Sequence, residues 1–349
     1  MLNGAIIGYG GMAQWHYGAT QKLEGISYTG VYDTADNRNG LAREAGLKVY
    51  NSPEEIYGDA AIDFILVATP NDYHKEYIIN SLKAGKHVIS EKPVTMNAGE
   101  LIEAMAVAKE TGKIFTVHQN RRWDEDYCTV KKAVRDNLIG KPYYYESRVQ
   151  GSRGMYGDWR TVKEAGGGIM LDWGVHLIDQ LLDLIDGKVV SVFAHMLSVK
   201  YKDIDDNFKL LMRFEDGTSA MVEVDTNCFI GLPRWHVSGI DGTLVVDDFQ
   251  GNGKYVKAAE GVELKFDEFI IKTTAGTTRT MAPRPPESLE TFTLPKVSPE
   301  WTEYYENFIS HLNGSEPLLV TAEQALRVMK IMDMAFESER IGKSIECSI

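Results

Sequence analysis

The chain has 349 residues, 44% of them hydrophobic and 25% charged, a globular composition that excludes disordered, collagen-like and disulfide-scaffold classes. Fifty acidic residues against thirty-seven basic ones give a net charge of −13, which repels phosphate backbones and anionic membranes, so neither nucleic acid nor membrane is an expected partner. Cys128, Cys228 and Cys347 lie far apart without ligand-like spacing, the first dozen residues carry no basic segment ahead of an apolar one, and no apolar run reaches membrane-spanning length, so a reducing cytoplasm is expected.

From residue 1 to 121 short β-branched runs alternate with helical periodicity, which predicts βαβ units around a parallel sheet. Five strands are expected at 5–8, 28–32, 64–68, 87–90 and 114–118, with a helix over 99–111. The rhythm then changes. A helix is predicted over 124–137 and a strand over 142–150, followed by a Gly-rich loop and three alternating strands at 189–200, 207–214 and 218–225. Glu215-Asp216-Gly217 joins the last two as a hairpin. Residues 275–300, rich in Thr and Pro, read as a surface excursion, and 301–312 and 321–340 as amphipathic helices. The expected fold is α/β: a Rossmann dinucleotide-binding domain over 1–121 and an α+β domain over 122–349, with helix 321–340 free to pack back on the first.

Gly8-Tyr9-Gly10-Gly11-Met12-Ala13 follows the first strand and opens a helix, matching G-x-G-x-x-G/A with alanine in the third slot. Gly8 permits the turn, Gly10 lets the main chain approach a pyrophosphate, and Ala13 keeps the helix close to the sheet. Asp33, twenty residues beyond Ala13, is placed to accept from an adenosine ribose diol. Its charge favours NAD over NADP, while Arg38 keeps NADP open.

Two clusters fall at carboxyl ends of strands, where ligands of such sheets bind: Thr69 to His74, and Glu91-Lys92-Pro93. Pro93 stiffens the chain behind Lys92; the alternative is a solvated surface lysine. Further on, Asp172, His176 and Asp179 recur at helical spacing on one face, so that Asp172 could orient a general-base imidazole; the alternative is a capping aspartate beside a satisfied histidine. A metal held by Asp172, His176 and Asp179, joined by His74 or His118, ranks lower because the spacing matches no zinc motif and Lys92 disfavours a cation. No metal is expected.

With these motifs in this order, the chain resembles the glucose-fructose oxidoreductase, inositol dehydrogenase and MocA family over essentially its whole length. The resemblance implies a second domain with an open, mostly antiparallel sheet and assembly as a homodimer or homotetramer. It implies that Lys92, Asp172 and His176 are catalytic, with His176 taking the hydroxyl proton while hydride passes to nicotinamide. Thr69, Asn71, His74 and Glu91 would line the cofactor, Trp159 and Arg160 would reach back to it, the alternative for Trp159 being a loop aromatic packed on the core, and Asn120 and Trp173 would contact substrate. The implied activity is NAD-dependent oxidation of a secondary hydroxyl on a carbohydrate or cyclitol, for example C3 of a glucoside. Trp123, Tyr156, Trp159, Trp173 and Trp235 offer faces for such a ring. Two alternatives remain: an NAD-dependent glycosidase acting by oxidation and elimination, and a non-catalytic NAD-binding regulator. Loops 151–165 and 227–240 are expected to set specificity.

Overall fold

The computed structural model describes residues 1–155, 157–262, 270–279 and 284–349. The first lobe alternates β1 (Leu2–Ile7), α1 (Gly11–Thr20), β2 (Ile26–Tyr32), α2 (Asp36–Glu44), β3 (Lys48–Val49), α3 (Pro53–Gly58), β4 (Phe64–Val67), α4 (His74–Lys83), β5 (His87–Ser90), α5 (Ala98–Thr111) and β6 (Phe115–Val117). Their strands form one parallel sheet in the order β3-β2-β1-β4-β5-β6. The two-residue edge strand β3 is the addition to the five expected. The β4 run Phe-Ile-Leu-Val is buried throughout because helices cover both faces of a parallel sheet. Strand order reverses between β1 and β4, which opens a crevice at their carboxyl ends.

The second lobe contains α6 (Glu125–Arg135), β7 (Pro142–Gln150), α7 (Val175–Leu184), β8 (Val189–Leu197), β9 (Asn207–Phe214), β10 (Ser219–Asp225), β11 (Trp235–Gly239), β12 (Gly242–Val246), β13 (Gly253–Ala258), β14 (Ile270–Thr273), β15 (Gly276–Arg279), β16 (Leu289–Thr293), α8 (Glu303–Leu312), α9 (Ala322–Ile341) and β17 (Ile345–Glu346). Among the described residues, nine of these strands make a sheet in the order β16-β13-β12-β11-β7-β10-β9-β8-β17, antiparallel except where β7 meets β10. In β9, Phe208, Leu210, Met212 and Phe214 point into the core while Lys209, Leu211 and Arg213 face solvent, the period of a half-buried strand. Part of the expected 275–300 excursion is therefore structured: β16 pairs with β13, and 276–279 closes a hairpin with 270–273. Likewise, 235–239 within the expected specificity loop is an interior strand.

The C-terminal helices tie the lobes together. Tyr305 on α8 meets His16 and Tyr28, and Phe308 packs on Phe64. Asp333 on α9 accepts from the Ala98 amide at 3.0 Å, so α9 bridges the second sheet and α5. No helix among the described residues is long and apolar enough to cross a membrane.

Candidate active site

The fingerprint turn forms as its residues require. Gly8 has φ +91°, and a Cβ there would lie 2.6 Å from the Ala68 carbonyl oxygen. By contrast, a Cβ on Gly10 or Gly11 would meet nothing within 4 Å. The first turn of α1 carries no carboxylate, so its free N–H groups face open space suited to a pyrophosphate. Buried Asp33 accepts from the Tyr9 amide at 2.6 Å and the Ala35 amide at 2.8 Å, and Arg38 lies 3.3 Å from the same carboxylate. These residues fit a dinucleotide: open backbone donors for the diphosphate and an anchored carboxylate at the ribose position.

From Gly10 and Gly11 a cleft of about 610 Å³ runs past Thr69 and Asn71 to Lys92, Asp172 and His176. The Lys92 ammonium donates to the Asp172 carboxylate at 3.0 Å and to the Asp172 carbonyl at 2.9 Å. Arg160 Nε reaches the same carboxylate at 3.3 Å. Burial opposes ionisation of Asp172, but Lys92 and Arg160 outweigh it and hold the carboxyl below its usual range. Asp172 sits in a π-helical turn, Met170–Gly174, whose first amide donates to Asp205 at 2.7 Å. Gly168 closes this approach; any Cβ there would press to 2.2 Å from the Asp205 carboxylate.

The expected Asp172-to-His176 pairing is not what forms. The π-helical turn interrupts the helical period, so Asp172 turns to Lys92, and Asp179 is held by Arg122 through two bonds of 2.7 Å. Asp172, His176 and Asp179 therefore do not converge as a ligand set. His176 is buried with Nδ1 unpartnered, which leaves Nε2 as its cleft-side nitrogen. Burial, then Lys92 and Arg121, push its pKa well below the ordinary imidazole value.

Beneath Lys92, Glu91 accepts from His16 Nε2 at 2.8 Å and from His118 Nδ1 at 2.9 Å, and Tyr305 holds the far nitrogen of His16. Burial works against the Glu91 charge, yet the two histidines hold its carboxyl well below the usual range. Burial also dominates at His16, whose pKa falls to about 4, and it lowers that of His74. Below pH 6.5, the ordinary imidazole value, the unfolded chain binds protons that folded His16, His74 and His176 refuse. Stability should therefore fall as pH drops from about 7 to about 5, and Glu91 adds a further loss below its ordinary 4.5. Urea midpoints across this interval check the prediction; a flat profile would contradict it.

Most residues anticipated from sequence gather at the cleft: Gly10, Gly11, Met12, Thr69, Asn71, Glu91, Lys92, Asn120, Trp159, Arg160, Asp172, Trp173 and His176 all line it. Ala13 packs behind it against the sheet, fully buried. His74 stands apart. It is fully buried between two loops, with ring nitrogens 2.9 and 2.8 Å from the Thr69 and Pro93 carbonyls, and its single N–H as a neutral imidazole ties it to one of them. Trp235 is wholly buried and donates to Asp126, which removes it as a face for a ring, while Trp123 packs on Tyr304 outside the cleft. Tyr156 lies outside the described residues. Sequence reading missed Arg121, which lines the cleft with its guanidinium 4.2 Å from the Trp173 ring centroid. Its neighbours Asn120 and Arg122 were the available signal.

Comparison with known proteins agrees with the fold. Residues 2–119 match the model for an oxidoreductase family with an NAD-binding Rossmann fold, and residues 127–245 match the GFO/IDH/MocA C-terminal domain. The scyllo-inositol 2-dehydrogenase (NADP(+)) of Bacillus subtilis is 28% identical over 307 residues, covering 85% of this chain and 82% of its own. The scyllo-inositol 2-dehydrogenase (NAD(+)) of the same organism is 28% identical over 269 residues, 74% of this chain and 77% of its own. The crystal structure of an NAD-binding protein from Listeria innocua matches with a TM-score of 0.94 and 41% identity over 99% of each chain.

Proposed function

The chain belongs to the GFO/IDH/MocA family of NAD(P)-dependent oxidoreductases, and we propose that it oxidises a secondary hydroxyl of a ring polyol, a sugar, glycoside or inositol, with NAD as its cofactor. One observation carries this reading: the Lys92 ammonium, gripped by Asp172, stands with His176 at the far end of the cleft that begins at the fingerprint glycines.

A bound nicotinamide dinucleotide supplies the two-electron acceptor. The chain's own residues position the substrate and control charge. Lys92 donates to the reacting hydroxyl oxygen and stabilises negative charge as it grows there. His176, neutral at physiological pH, accepts the hydroxyl proton at Nε2. Asp172 and Arg160 keep the ammonium aimed, and Trp173 offers an apolar edge for the carbon face of a ring. The test is incubation with NAD⁺ or NADP⁺ and myo-inositol, scyllo-inositol, glucose or methyl glucoside, reading products by mass. A ketone from one of them supports the reading; unchanged polyols throughout would reject it.

The preference for NAD rests on Asp33, whose carboxylate would face a 2′-phosphate with like charge. Arg38 already touches that carboxylate. Asp33→Asn keeps an acceptor for the Tyr9 amide while releasing Arg38, so the NADP-to-NAD ratio of kcat/KM should rise by about two orders of magnitude, equivalent to ~3 kcal/mol. An unchanged ratio would remove Asp33 from cofactor selection.

A further inference from the structure

A second cavity of about 430 Å³ adjoins the cleft on the side away from the fingerprint, and the two share Arg160, Asp172 and Trp173. Its walls are largely apolar, from Val149, Met155, Ile169, Val224 and Trp173. Pockets of this size that are apolar over most of their surface, with a few polar groups at the edge, ordinarily take an organic group.

The cavity is also built in advance. The 151–155 segment that forms one wall is fastened along its length: the Gly151 amide donates to the Asp225 carbonyl at 2.8 Å and the Gly154 amide to the Thr226 carbonyl at 3.1 Å. The Tyr201 hydroxyl meets both the amide and the carbonyl of Met155 at 3.0 Å. At the exposed rim stands Arg153, whose guanidinium has no carboxylate or ring partner among the described residues. Arg153, unpaired among the described residues, and the Trp173 ring, which carries Arg121 at 4.2 Å from its centroid, both border the cavity and suit a flat, apolar group.

We propose that this cavity is an aglycone subsite: while the polyol ring reacts at Lys92 and His176, an apolar aryl substituent on that ring lies against Met155, Val224 and Trp173 and under Arg153. The inference rests on the ring-polyol reading and deepens it, because free inositols and monosaccharides would leave the subsite empty. The preferred substrate is then an aryl glycoside or a cyclitol bearing an aryl group.

The experiment is calorimetric binding of 4-nitrophenyl and methyl glycosides with the same sugar ring to the NADH-loaded protein, supported by kcat and KM for both. The aryl glycoside is expected to bind about tenfold or more tightly, with the gain appearing in KM. Ser152→Trp, which fills the rim, and Arg153→Ala, which removes the stacking cation, should each bring the aryl-to-methyl ratio toward one. Both positions are exposed, and the dinucleotide affinity of each variant reports that the fold survives. Equal binding of the two glycosides overturns the subsite and leaves the polyol reading standing. The same holds for an aryl preference that neither substitution changes. Failure of both glycosides and of free inositols to bind overturns the polyol reading itself, and the subsite with it.

Discussion

Replacing Lys92 by methionine is expected to lower turnover by about three to four orders of magnitude while dinucleotide affinity stays within a few-fold. Methionine keeps the length of the side chain and removes its charge and donors. The reacting oxygen would lose its cation, and Asp172 would retain only Arg160, 3.3 Å away. The loss should fall on kcat more than on KM, because an interaction that strengthens as charge develops acts on the transition state. A second readout separates this from a packing defect. Lys92 is among the groups that depress His176, so its removal should raise the pKa of that imidazole and move the acid limb of the residual rate to higher pH. His176→Ala should lose rate on a similar scale and abolish that limb. Near-normal turnover in either variant would remove that residue from the catalytic set.

Arg122→Leu should instead act on the fold, with a loss of about 3 to 5 kcal/mol in unfolding free energy. The guanidinium gives two bonds of 2.7 Å to Asp179 and further bonds to the Leu319 carbonyl and to Gln324 at the start of α9. Asp179 is 2% exposed, and burial already pushes its pKa up against the pull of Arg122. Without the arginine, the buried carboxylate would keep only the weaker pull of Lys131 against burial and the neighbouring Asp183, and would take up a proton. The double variant Arg122→Leu, Asp179→Leu should recover much of the loss, since replacing both members of a buried pair removes the stranded charge. Urea unfolding measures both; a single variant as stable as the parent would contradict the assignment.

The contrast between Asp172 and Asp179 shows how far a period in the sequence can be trusted. Both fall at helical spacing from His176, yet they end at different cations. Regular spacing predicts a shared face only while the backbone stays α-helical, and the π-helical turn at Met170–Gly174 breaks that condition. The turn is anchored from far along the chain: the Asp205 carboxylate accepts from the Met170 amide, and Gly168 leaves room for it, since any side chain there would collide with Asp205. Local pattern contains neither contact. The first sheet was more legible, because each of its long strands is an apolar or β-branched run and each helix follows at the expected interval. The Gly8-to-Ala13 turn could be read because its demands are local, a positive φ at Gly8 and open space over Gly10. Beyond residue 230 the strands are short and broken by glycines and charges, so their pairing depends on partners far along the chain. The His16, Glu91 and His118 cluster was hidden in the same way, assembled from a helix and two strand ends.

The most direct test of the central claim is the stoichiometry of oxidation: reduced nicotinamide followed by its near-ultraviolet absorbance on adding a ring polyol to the protein with NAD⁺, with ketone measured in the same sample. The account predicts one reduced cofactor for each ketone in the parent protein and neither product in Lys92→Met. Ketone or free aglycone formed without accumulating reduced cofactor would contradict net dehydrogenation, and equal yields from the parent and Lys92→Met would contradict the site.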